Sequence, residues 1–109
     1  MIAGLYTFVG GMIMLYRPEP ITFENEEFPE VILKYMDWIG EQVHERWAAN
    51  RIRDGWEYGP EYDGKNRKHP CLIPYAQLPE SEKEYDKSTA KHTIQLLLSA
   101  GFQIIPPED

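Results

Sequence analysis

Between Gly55 and Pro70 the sequence reads GWEYGPEYDGKNRKHP, with Gly59 and Gly64-Lys65 at the spacing of a phosphate-cradling loop. That chemistry needs a Ser or Thr after the lysine to sit on magnesium, and here Asn66 follows. It also needs a buried strand before the loop and a helix after it, so that a helix N-terminus faces the anion. RDGWEYG is no apolar strand, and Pro70 blocks an easy helix after NRKH. The stretch therefore reads as a turn in which glycine permits tight backbone and Lys65 is available to solvent or an anion.

Other reactive patterns fail on similar grounds. HERWA, from His44 to Ala48, begins like a zinc-protease helix but has Ala48 where the second ligand belongs. His44, His69 and His92 are scattered without flanking ligands, which favours structural roles over a metal. Cys71 shares its loop with His69, yet a nucleophilic cysteine needs a base oriented by a third group, and a buried structural thiol is the better reading. Glu24-Glu26-Glu27 and Glu80-Glu82-Glu84 fall where solvated faces and helix N-termini put acids, with nothing nearby to desolvate them. YDGKN lacks the alternating oxygen ligands of a calcium loop.

What remains is aromatic and cationic together: Trp47, Trp56, Tyr58 and Tyr75 with Arg51, Arg53, Lys65, Arg67, Lys68 and His69. Trp47 and Arg51 stand one helical turn apart, so an indole and a guanidinium could flank one cleft. Such a pair suits a planar ring bearing an anion, because stacking and charge pairing are separate attractions. The competing reading makes Trp47 the end of a core stripe and KNRKH a solvated loop.

The elements that must position these residues are unevenly marked. Ile32, Met36, Ile39, Val43 and Trp47 recur at helical steps, predicting a helix over about 29–54. Glu26, Glu27 and Glu30 mark its start, and Arg51, Arg53 and then Gly55 its end. Residues 56–78 show no helical period and predict a long ordered loop with a short strand at CLIPY. Ser81 and Glu84 form a capping box for a short helix. Asp86 or Ser88 caps a second, over about 87–100, whose apolar face is Ala90, Ile94, Leu97 and Leu98. Gly101 ends it, and FQII reads as a closing strand before Pro106-Pro107. At the other end, Gly10-Gly11 suits a turn between two short strands, and YRPEPITFEN an extended strap.

One domain is expected for 109 residues. The net charge of −7 argues against a nucleic-acid partner, whose phosphates need clustered cations. A single cysteine excludes an internal disulfide and fits a reducing cytoplasm. The apolar run MIAGLYTFVGGMIMLY is short for a membrane span and lacks a basic leader, so no membrane association is expected. Met12 and Met14 offer later starts, so part of this run can be an upstream extension.

Taken together, the spaced pieces resemble the RyR domain, the repeat of ryanodine-receptor channels. They comprise Tyr16, Pro18, Pro20 and Ile21; Val43-His44, Trp47-Ala48 and Arg51-Ile52; Gly55-Trp56 and Tyr58-Gly59; Asp63, Arg67 or Lys68, His69-Pro70 and Leu72; and Pro74-Tyr75, Leu78-Pro79 and Tyr85. The resemblance spans about Tyr16 to Ile105, leaving 1–15 as an extension and 106–109 as a tail; Thr22 replaces the acidic residue that follows the strap in that family. It implies an α+β fold: a single compact domain with two main helices, a long ordered loop and small antiparallel strands. It implies no enzyme activity and no cofactor. It further implies either a pocket for a nucleotide or nucleotide-derived signal or a protein-interaction role in which the same residues only hold the fold. The implied lining is Trp47, Arg51 and Trp56, with Tyr58, Lys65 and His69 beside them. Because the domain usually occurs in pairs and this chain has one copy, the resemblance also implies a homodimer.

Overall fold

The computed structural model describes residues 5–9, 12–23 and 28–107. An antiparallel pair, β1 (Leu5–Val9) and β2 (Met12–Leu15), opens the chain, with a register irregularity between Leu5 and Thr7. The expected turn at Gly10-Gly11 lies outside the described residues, as do Glu26 and Glu27. Residues 16–23 run without regular structure, as a strap should, and are tied to the body where His92 Nε2 donates to the Ile21 carbonyl at 3.0 Å.

The helical stripe forms, but in two pieces: α1 (Glu30–Leu33) and α2 (Met36–Arg53), separated by a turn at Lys34-Tyr35. The Tyr35 N–H reaches back only three residues to the Ile32 carbonyl, tightening the chain after Val31-Ile32, whose branched side chains are weak helix formers. The stripe keeps its face across the break. Ile32 and Met36 are buried with Ala90, and Phe28, Val31, Ile39, Val43 and Ile94 pack around them.

The second half departs further from expectation. Instead of two helices meeting near Asp86, a single helix, α3, runs Glu80–Ser99. It begins one residue before the expected cap at Ser81, with the Pro79 carbonyl accepting from the Glu82 and Lys83 N–H groups at 3.0 and 3.2 Å. No Gly or Pro interrupts EKEYDKSTAKHT, so nothing forces a second start. CLIPY is not a strand: Tyr75–Gln77 form a short 3-10 helix after Pro74. FQII is not a strand either; residues 102–107 are irregular, and Ile104 to Pro107 line a groove with Val31, Tyr35, Trp38, Ile39 and Ile94.

The strands inside the domain correct one further expectation. β3 (Glu57–Tyr58) and β4 (Lys68–His69) pair in parallel. Between them the chain reverses twice, the second time in a turn whose ends, Asp63 and Lys68, pair antiparallel. Two reversals restore the original direction. Asp63 closes that turn by accepting from the Asn66 N–H at 3.1 Å and its side-chain amide at 2.7 Å.

Both long helices end as the glycines suggest. Gly55 has φ +91° and Gly101 φ +99°. At each, paired hydrogen bonds close a Schellman motif: Gly55 to Ile52 with Trp56 to Arg51, and Gly101 to Leu98 with Phe102 to Leu97. Where α2 meets α3, Gly40 is buried, and a Cβ there would stand 2.9 Å from Lys87 Cγ and 3.0 Å from Tyr75 Oη. That hydroxyl is buried and has no hydrogen-bond partner among the described residues.

Gly40→Ala is expected to lower stability by about 1–3 kcal/mol despite the better helix propensity of alanine, because the ring end cannot yield freely. Tyr75→Phe, which removes the orphaned hydroxyl, is expected to gain about 1 kcal/mol. In that background the Gly40→Ala cost should shrink. Thermal melts of the four proteins check this, and an undiminished cost would place the conflict elsewhere.

Candidate functional site

The end of α2 builds the site. In a Schellman motif the residue two past the cap folds back over the helix's last turn, usually through an apolar contact. Here those positions are Trp56 and Arg51, and the guanidinium sits 4.5 Å from the Trp56 ring centre. One turn earlier on α2, Trp47 lies 5.6 Å from the same guanidinium. Arg51 is thus held between two indoles, half-buried, with no carboxylate paired to it among the described residues.

The returning loop supplies the next ring. β4 brings His69 to 4.8 Å from Trp47, edge-on, and to 6.2 Å from Trp56. Tyr62 completes the group at 5.6 Å from His69 and 5.8 Å from Trp56. His69 Nδ1 accepts the Cys71 N–H at 3.0 Å, which leaves Nε2 to carry the proton of the neutral ring. Burial, and then the Arg51 charge, hold its pKa below the ordinary 6.5, against an opposing pull from Glu82.

Behind Trp47 and His69 lies a cavity of about 180 Å³, lined also by His44, Cys71, Leu78, Glu82 and Asp86. His44, only 3% exposed, donates from Nε2 to the Ile73 carbonyl at 2.7 Å and stacks on Trp47 at 5.6 Å with 25° between planes. Its Nδ1 faces Asp86 Oδ2 across 4.0 Å. Burial raises the Asp86 pKa; His44 lowers it, and Glu82 raises it further. Burial also pushes the Cys71 thiol pKa up, followed by Glu82 and Asp86, which disfavours the thiolate.

The sequence matches the RyR domain model over residues 16–106. The chain belongs to the RyR domain family. The RyR domain here holds its strap, both long helices and the entire aromatic loop within the matched span, and leaves β1 and β2 outside it.

Of the residues singled out in the sequence, Trp47, Arg51, Trp56 and His69 converge. Tyr58 and Lys65 do not join them. Tyr58 is 55% exposed and lines a separate hollow with Gly59 to Asp63 and Lys68, while Lys65 is exposed in the Asp63–Lys68 turn. Sequence reasoning missed Tyr62 as a member of the ring cluster, and Leu78, Glu82 and Asp86 as walls of the cavity. Glu82 and Asp86 stand four apart on α3, a signal legible only if that helix is read as continuous from residue 80. Among the described residues no group of three metal-binding side chains converges, and no helix is long and apolar enough to cross a membrane.

The His69 shift has a definite sign. A folded-state pKa below 6.5 means that the unfolded chain protonates first as pH falls, so this contribution is complete above 6.5 and is lost below it. NMR titration is expected to give His69 a midpoint below 6.5, and Arg51→Gln should raise it. An unchanged midpoint in the variant would leave burial as its sole cause.

Proposed function

We propose that this RyR domain is a non-enzymatic binding module for a small ligand that joins a planar heterocycle to an anionic group, the nucleotide-like class. The observation that carries this is Arg51: a half-buried cation fixed against Trp47 and Trp56 with no carboxylate paired to it among the described residues, where Trp47 also lines the neighbouring cavity. An arginine so held is poorly satisfied by its own chain, and its donor fork matches a phosphate or carboxylate. The rings offer stacking surface independent of charge. At about 180 Å³ the cavity lies below the roughly 300 Å³ of pockets that enclose drug-sized ligands, so it would take a ring and leave the anion outside, near Arg51.

A thermal-shift screen with adenine and guanine nucleotides, cyclic nucleotides and ADP-ribose derivatives tests the reading. Ligand at one hundred times Kd adds about 2.7 kcal/mol, a rise of about ten degrees or more for a domain of this size. The rise should vanish in folded Trp47→Ala and weaken strongly in Arg51→Gln. A flat response across the screen would sink the proposal.

A second reading, an interaction or assembly domain, is favoured by one feature: Trp38 is 61% exposed and Ile105 78%, beside the apolar groove between α1, α2 and the tail. Its simplest form is a homodimer burying that face. Light scattering at high concentration would then give twice the chain mass, reduced to one by Trp38→Glu. A monomer throughout would remove this form of the reading.

A further inference from the structure

We propose that this chain forms an arm-exchanged homodimer, in which the β1–β2 pair of each copy covers the apolar groove of the other. This rests on the interaction reading above and adds which two surfaces meet.

The groove is one apolar surface in need of cover. Its lining comes from α1, α2, α3 and the tail, offers about 390 Å³ and includes no charged side chain among the described residues. Trp38 and Ile105 stand exposed on it. Apolar surface gathered in one place in this way is the mark of a contact with another molecule.

The β1–β2 pair is the other. No residue from Met1 to Tyr16 is charged, and of the nine residues in the two strands only Tyr6 and Thr7 carry a hydroxyl, so neither face of the pair is a polar one. An isolated two-stranded pair is marginal in water. Its edges also lack the charges and prolines that keep edge strands apart. The strands pair with each other while the main packing of the body joins α2 to α3. The radius of gyration, 18.0 Å against about 13 Å for a compact chain of this length, is what a projecting arm produces. Leu15 and Ile21, on the way from arm to body, are exposed too.

Charge and the strap decide the occupant. Each copy carries a net charge of −7, so two copies repel where charged faces meet, and joining an uncharged arm to an uncharged groove avoids that cost. The strap is anchored at Ile21 by His92, and Pro18 and Pro20 stiffen it beyond that anchor, which carries the arm outward and away from its own copy. Exchange satisfies both surfaces at once and closes with two-fold symmetry.

Light scattering of the full chain at high concentration, on the native protein, on Ile13→Asp in the arm and on Trp38→Glu in the groove, tests the inference. The native chain is expected to give twice the chain mass, and each variant alone a single chain mass. Mixed in equal amounts, the two variants should recover dimer, because the arm of the Trp38→Glu copy still fits the groove of the Ile13→Asp copy. Circular dichroism checks that each is folded, with Phe8→Asp and Ile105→Asp as second choices for arm and groove. A native dimer that survives Ile13→Asp, or that is not recovered in the mixture, overturns arm exchange and leaves a dimer made face to face. Growth beyond two copies overturns the closed exchange. A native monomer overturns it together with the homodimer, whether the arm then covers its own groove or a foreign apolar partner.

Discussion

The hydrogen bond from His44 to the Ile73 carbonyl is the constraint on which the rest of the domain depends. The apolar core is small: Ile32, Met36 and Ala90 at its centre, with no large side chain fully buried among the described residues. Apolar burial on that scale cannot by itself hold the long segment between α2 and α3. A buried imidazole on α2 that donates into that segment can, because removing the donor would strand a carbonyl at a cost of about 1–3 kcal/mol. The same ring stacks on Trp47, lies 6.3 Å from Tyr75 and faces Asp86 on α3, so one side chain touches both helices and the loop. The cavity exists because these three elements are pinned around it without filling it.

Second to this pin is the end of α2. The helix must stop at Gly55 in a left-handed conformation, and the resulting motif lays Trp56 over Arg51. Arg67, itself at φ +56°, donates to the Asp54 carbonyl at 3.0 Å and fastens the returning strand to the same helix end. Lys68 pairs with Glu57 across β3 and β4 and lowers the glutamate pKa through that contact. The ring cluster is therefore a product of backbone geometry as much as of aromatic attraction. A cation–π contact contributes about 0.5–1 kcal/mol at exposed sites, too little to position the loop but enough to orient the guanidinium once the loop is placed.

What the sequence revealed follows from how local each signal is. The α2 stripe, Gly55, Gly101 and the Trp47–Arg51 pairing are all set within one or two helical turns, and each is found where its spacing puts it. The α1–α2 break escaped because Lys34-Tyr35 carries no Gly or Pro, and the stripe continues through it. Ser81 and Asp86 look like caps in a short window, but helix continuity across them is decided by packing against α2, where Ala90 is buried. The parallel pairing of β3 and β4 depends on two reversals whose sum no local pattern encodes. Tyr62 was invisible for the same reason: only the turn at Asp63 brings it beside Trp56 and His69.

The charges around the cluster divide its surroundings into two unlike halves. On the cavity side stand Glu82 and Asp86, on the helix end Arg51, with Trp47 and His69 between them. The net charge of −7 is screened beyond a Debye length of about 8–10 Å, so the charges nearest the rings dominate the local field. The rings that separate the halves also hold the fold, and the geometry that satisfies the loop leaves Trp47, His69 and Arg51 only partly covered.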